Sequence, residues 1–202
     1  MNIAVFASGS GTNLQAIIDS ISRGEIKAKL SLVVSDNKDA FALTRAKNAG
    51  IGTFVLSPGS FPSREGYDKE IIKRLERDNI DLIVLAGFMR LVSGYFVNRY
   101  KNKIMNIHPA LLPSFKGVNA IKDAFESGAK KTGVTVHFID ELMDHGPVIL
   151  QETVDINENE TLKKLEEKIH KVEHKLYPKA VKLFVEGRLR VEGDKVSIKQ
   201  ES

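Results

Sequence analysis

The 202-residue sequence contains no cysteine. Disulfides, thiolate nucleophiles and cysteine-ligated zinc are therefore excluded, a composition that fits a reducing compartment. No stretch approaches the ~20 consecutive apolar residues of a bilayer span. The N-terminal MNIAVFASGS has no basic region, and its apolar run is too short for a signal peptide. The expectation is a cytoplasmic chain with no membrane partner. Charge of one sign is also scarce: the formal net charge is +4, the lysines are dispersed, and there is no polybasic arm. That is a mild bias toward anionic ligands and excludes a nucleic-acid signature. Internal repeats, low-complexity segments and linkers are missing too. What is present, 42% hydrophobic and 28% charged residues, describes one ordinary globular domain spanning residues 1–202.

Strand and helix signals alternate. Ile3 to Ala7 is a short apolar run, followed by Ser8-Gly9-Ser10-Gly11-Thr12-Asn13 and then by Leu14, Ile17, Ile18 and Ile21 at helical spacing. A strand, a glycine-containing loop and a helix start form an anion site, because first-turn amides lack intrahelical acceptors and the dipole favours negative charge. The loop lacks the Gly-Lys-Ser/Thr ending of a Walker motif and is not GxGxxG. A small-ligand phosphate is the functional reading. Further strands are expected at Leu30 to Ser35, Gly52 to Leu56 and Asp81 to Ala86, with helices from Ala40 to Ala49 and Arg64 to Asn79 between them. The pattern predicts an α/β, Rossmann-like fold: a mostly parallel open sheet with helices on both faces. In such sheets ligands sit beyond the carboxyl ends of the strands, which nominates the first loop, the segment from Gly87 to Val92 and the strand ending Asn106-Ile107-His108.

Ile104, Met105 and Ile107 read as a short buried strand closed by Pro109. Asn106 and His108, two apart, share a side. A carboxamide to donate to developing negative charge and an imidazole to move protons suit a reaction passing through an oxyanion. After a helix between Gly117 and Gly128 comes the strand Thr132 to Ile139, where His137 is either a group supporting the site or a satisfied core histidine. Asp144 stands in an acidic loop that ends in Gly146-Pro147, and a lone catalytic histidine generally has a carboxylate orienting it. A strand follows from Val148 to Val154. From Asn159 a long amphipathic helix is expected, kinked or split at Pro178, and Leu189 to Lys199 reads as a hairpin. His170, Glu173 and His174 have a spacing that invites a metal, but with no third ligand in view no metal is expected.

The stretches SGSGTNLQAI, VLAGFMRL, MNIHPALLP, GVTVHF and DHGPVILQ, in this order along almost the whole chain, resemble the glycinamide ribonucleotide formyltransferase family of purine synthesis. Formyltransferases acting on initiator methionyl-tRNA share the Asn-x-His and the later Asp but add a C-terminal domain; formyltetrahydrofolate hydrolases add an N-terminal one. The resemblance implies transfer of a formyl group from 10-formyltetrahydrofolate, as co-substrate, to the amine of 5-phosphoribosylglycinamide. It implies that Asn106, His108 and Asp144 are catalytic. Gly11, Thr12 and Asn13 would hold the substrate phosphate, and His170 and Glu173 would bind on its ribose side. Met89, Arg90, Leu91 and Val92, together with Asn106, would line the folate site, closed by Asp140, Glu141, Leu142, Met143 and Asp144, with Arg64 at the folate tail. Residues 1–100 would then be the phosphoribosyl-binding half and 101–202 the catalytic and folate-binding half, in a monomer or homodimer. The chain departs from the family pattern at Ala110, at Asn119 (a histidine in many relatives) and at His145, a bulky residue beside Asp144. Another 10-formyltetrahydrofolate-dependent formyltransferase, or a non-catalytic phosphate-ligand binder of the same fold, are the alternatives. A nicotinamide dehydrogenase is disfavoured by the missing GxGxxG and the missing acid at the end of the second strand.

Overall fold

Four short apolar runs near the N-terminus become parallel strands: β1 (Asn2–Phe6), β2 (Lys29–Ser35), β3 (Gly52–Val55) and β4 (Leu82–Leu85), in the order β3-β2-β1-β4. Ile3 to Phe6, Leu32 to Val34 and Leu82 to Leu85 are buried, as expected of parallel strands covered on two faces. The computed structural model describes residues 1–200. The helices that flank these strands are α1 (Thr12–Ser22), α2 (Phe41–Asn48) and α3 (Arg64–Arg77), and a 3-10 turn (Pro58–Ser60) lies in the Pro/Gly/Ser loop before α3. Helix α1 buries Leu14, Ile17 and Ile18, the stripe its spacing predicts. Helix α3 starts where Ser63 accepts a hydrogen bond from the Gly66 amide at 3.0 Å, an N-cap contributing on the order of 1 kcal/mol. A short helix, α4 (Gly94–Arg99), is capped by Ser93 and buries Phe96 and Val97. Six residues are too few for periodicity to reveal, and the sequence reading assigned nothing there.

Strand β5 (Ile104–His108) contains the division between two compact units, one of residues 1–105 and one from Asn106 onward. The second unit adds α5 (Ala120–Glu126), β6 (Lys131–Phe138), β7 (Val148–Asp155), α6 (Leu162–Val185) and the hairpin β8 (Leu189–Glu192) and β9 (Lys195–Ile198). Strands β6 and β7 are antiparallel, β9 lies beside β7, and β8 closes the order β6-β7-β9-β8. The fold is the α/β class expected from the sequence, with the long C-terminal helix and the small hairpin in place. Every residue of β6 from Thr132 to Phe138 is buried, so both of its faces are covered.

Of the two outcomes expected at Pro178, a kink or a split, the split is corrected. Helix α6 neither splits nor stops at Pro178 but runs unbroken for 24 residues. Thr161 caps its start by accepting from the Lys164 amide at 3.3 Å. Leu165, Ile169, Leu176, Ala180 and Val181 are buried along the helix, and so is Pro178 itself. An internal proline costs a helix about 3 kcal/mol, and burial of that many apolar side chains, at roughly 1.5–3 kcal/mol for each large one, outweighs it. Among the described residues no helix is long and apolar enough to cross a membrane.

Candidate active site

The second unit gathers Asn106, His108, His137 and Asp144 around the end of β5. The His108 imidazole is buried, 4% exposed, and each ring nitrogen faces an acceptor. Its Nε2 lies 2.7 Å from the Phe115 carbonyl, so Nε2 carries hydrogen. Its Nδ1 lies 3.5 Å from Asp144 Oδ2. Both ring nitrogens thus face an oxygen acceptor. The same Asp144 oxygen accepts from the Gly117 amide at 2.9 Å, which holds the carboxylate in place.

His137 is fully buried on β6 and determines how Asn106 is presented. Its Nδ1 donates to the Phe138 carbonyl at 2.8 Å. Burial pushes this imidazole below its ordinary value, against the opposing pull of the Phe138 carbonyl and the Asp144 carboxylate. A neutral ring with hydrogen on Nδ1 has a lone pair on Nε2, and that atom faces Asn106 Nδ2 at 3.2 Å. Asn106 therefore points its NH2 at His137, spends one hydrogen there and keeps a second donor. The two readings left open for His137 turn out to be compatible: it is a satisfied core histidine, and it orients the amide. Next to it, Thr135 donates to the Ala110 carbonyl at 2.6 Å and accepts from the Leu112 amide at 3.1 Å. Gln151 donates to both Thr135 Oγ1 and the Leu112 carbonyl. This network fixes the chain just after His108. Sequence reasoning missed it, because a threonine and a glutamine on neighbouring strands carry no local signal.

Asp144 sits at φ +48°, in the left-handed region where Asp is tolerated better than most residues. Two residues on, a side chain at Gly146 would run into the Phe138 carbonyl, so the turn that presents Asp144 depends on that glycine. His145 turns outward: its Nδ1 lies 2.6 Å from Asp140 Oδ2, and Asp140 also accepts from the Leu142 amide at 2.9 Å. The bulk of His145 is thus directed to the far end of its own loop. Glu141, Leu142 and Met143 are exposed. Asn119 stands at the N-cap of α5 without a side-chain cap bond, and Ala110 is buried. On α6 Glu173 is buried and His170 exposed. Among the described residues no three His, Cys, Asp or Glu side chains are grouped to hold an ion.

In the first unit, Gly11 takes φ +70° and ψ +33° immediately before α1, and Gln15 N donates to its carbonyl at 2.9 Å. A left-handed residue followed by a helix start makes an amide-lined concavity suited to an anion. Thr12 is half-buried and Asn13 buried. The segment after β4 is tethered at both ends. Met89 N donates to Ser8 Oγ at 3.0 Å, and Ser93 N donates to Asp68 Oδ2 at 2.6 Å. Asp68 is 2% exposed; burial raises its carboxyl, opposed by the bonds to Ser93 and by the charges of Arg64 and Arg90. Arg90 lies over the Tyr67 ring at 5.1 Å, whose phenol burial pushes up to about 12 and which donates to the Leu56 carbonyl at 3.1 Å. Met89 and Leu91 are exposed, Val92 half-buried, and Arg64 exposed at the start of α3.

Residues 1–181 match the family described as formyl transferase, and the chain belongs to that family. Within it, the chain is 42% identical over 191 residues to the phosphoribosylglycinamide formyltransferase of Escherichia coli K12, covering 95% of this chain and 90% of that one. Among solved structures, it superposes on glycinamide ribonucleotide transformylase 1 of Symbiobacterium toebii with a TM-score of 0.97 and 44% identity, covering 99% and 94% of the two chains. The corresponding enzyme of Geobacillus kaustophilus gives 0.89 at 47% identity, covering 91% and 98%.

Proposed function

We propose that this chain transfers the formyl group of 10-formyltetrahydrofolate to the amine of 5-phosphoribosylglycinamide, in the cytoplasm and without a metal. The observation that carries the reading is the double tether of His108 between the Phe115 carbonyl and Asp144, beside an Asn106 whose amide is oriented by His137. The amine attacks the formyl carbon, and the carbonyl oxygen gains negative charge. The second N–H of Asn106 and an N–H of His108 are the donors for that oxygen. Collapse breaks the bond from the formyl carbon to N10 of the folate, and the proton lost by the amine reaches N10 through His108. Because His108 is buried beneath the segment carrying Phe115, that segment must give way for His108 to meet substrate.

Family membership and the local geometry support the remaining assignments. Gly11, Thr12 and Asn13 take the substrate phosphate, and Glu173 with His170 takes the ribose side. Residues 89–92, Asn106 and the loop from Asp140 to Asp144 take the pterin, and Arg64 takes the folate tail. The test follows folate absorbance with purified protein. Loss of 10-formyltetrahydrofolate that requires glycinamide ribonucleotide, with one formylated product per folate, is the expected result. Folate consumed without the ribonucleotide would indicate a hydrolase, and binding without turnover a non-catalytic protein; either overturns the proposal.

A further inference from the structure

The anion loop in the first unit is held open from behind. Three successive carbonyls, those of Ser8, Gly9 and Ser10, each accept a hydrogen bond from the stretch between residues 37 and 45. Asn37 Nδ2 donates to Ser8 O at 3.2 Å, the Ala42 amide to Gly9 O at 3.1 Å, and Arg45 Nε to Ser10 O at 2.8 Å. In a trans peptide the carbonyl of one residue and the N–H of the next point in opposite directions. Drawing the carbonyls of residues 8, 9 and 10 toward α2 therefore turns the N–H groups of Gly9, Ser10 and Gly11 away from it. The Ala42 bond also provides α2 with a cap, since Ala40 has no side chain to offer. Only glycine fits at position 11 without a shift: a Cβ there would lie 2.8 Å from both Cα and Cβ of Ala42.

Of the three tethers, only Arg45 brings a charge. Its guanidinium also donates through Nη1 to Gln15 Oε1 at 3.0 Å and lies over the Phe41 ring at 5.0 Å. One planar group thus joins the loop, the second turn of α1 and the start of α2. We infer that Arg45 is a positioning residue for the substrate phosphate: by pinning the Ser10 carbonyl and Gln15 it fixes the loop amides in the anion-binding direction. This rests on the assignment of the phosphate to residues 11–13. Arg45 does not itself touch substrate in this account, and the ammonium of a lysine could not reproduce its planar fork.

The experiment measures ribonucleotide and folate binding and saturated turnover for Arg45→Met and Arg45→Lys, with Gly11→Val as the test of the underlying assignment. Arg45→Met should weaken glycinamide ribonucleotide about 10- to 100-fold, the range of one lost charge-assisted hydrogen bond. Folate affinity and kcat at saturation should be unchanged. Arg45→Lys should recover little of the loss. With the glycinamide riboside that lacks the phosphate, Arg45→Met should bind as wild type does. Equal weakening of riboside and ribonucleotide, or full recovery by lysine, overturns the positioning role. If Gly11→Val weakens the ribonucleotide and Arg45→Met does not, the Arg45 inference alone fails. If Gly11→Val leaves it unchanged, the phosphate assignment fails and the inference with it. Thermal unfolding of Arg45→Met near wild type excludes a general loss of structure.

Discussion

In the proposed function, the loop at residues 8–13 and the cluster around His108 would handle charge by opposite means. The loop would bind through backbone amides, and the side chains of Arg45 and Asn37 donate to its carbonyls. In the cluster Asn106 faces His137, Asp144 lies beside His108 and His137, and backbone groups at Phe115, Gly117 and Phe138 bond to His108, Asp144 and His137 in turn. Backbone donors are fixed in charge and suit a group whose charge the reaction does not alter, such as a phosphate. Titratable side chains suit a step in which charge appears and protons move. The contrast predicts that damage to the loop appears in binding and damage to the cluster in turnover.

The largest effect should come from removing the proton carrier. His108→Gln retains a polar side chain but cannot relay a proton, and kcat should fall by about 10²- to 10⁴-fold with substrate dissociation constants held. A KM defect of that size at constant kcat would move His108 to the binding side of the comparison.

His137 separates the two regions by pH. Its folded value lies below the ordinary one of about 6.5, so in the window beneath that value the unfolded chain binds more protons than the folded one. Its contribution thus lowers stability as pH falls from about 6.5 toward the folded value, and is absent above. His137→Gln keeps an acceptor for Asn106 without this titration. Stability measured by urea at pH 7 and pH 5.5 should therefore fall less in the variant than in wild type. An equal fall in both would show that His137 is not protonated on unfolding in this range. Ribonucleotide binding should not follow this titration.

Asp68→Ala should produce the smallest change. Leaving the Ser93 amide without its acceptor should cost about 1–3 kcal/mol of stability and weaken folate more than ribonucleotide, as read by urea unfolding and by binding. Equal weakening of both ligands would detach Asp68 from the 89–92 segment.

How much of this the sequence disclosed follows the same divide. The parallel strands were legible because their burial on two faces leaves continuous apolar runs such as Leu82 to Leu85. The placement of Asn106 and His108 on one strand end was legible from two-residue spacing, and Asp144 from its turn. What was not legible lies across sequence distance or on main-chain atoms. Arg45 reaches Ser10 over 35 positions, Asp68 reaches Ser93 over 25, and Phe115 meets His108 with a carbonyl that any residue would supply. The split allowed for at Pro178 did not occur; a local rule about helix breaking was read without the burial that overrides it.

The central claim is tested most directly by crossing the two regions in one assay: kcat and the ribonucleotide dissociation constant for wild type, Gly11→Val and Asn106→Ala. A side chain at Gly11 must endure φ +70° and the approach to Ala42, so Gly11→Val should weaken the ribonucleotide by about 10-fold or more with kcat at saturation retained. Asn106→Ala removes a donor aimed at charge that develops only during reaction, and should lower kcat by about 10²-fold or more with the dissociation constant unchanged. Both variants failing in the same parameter would contradict the division between a backbone site for the phosphate and a side-chain site for formyl transfer.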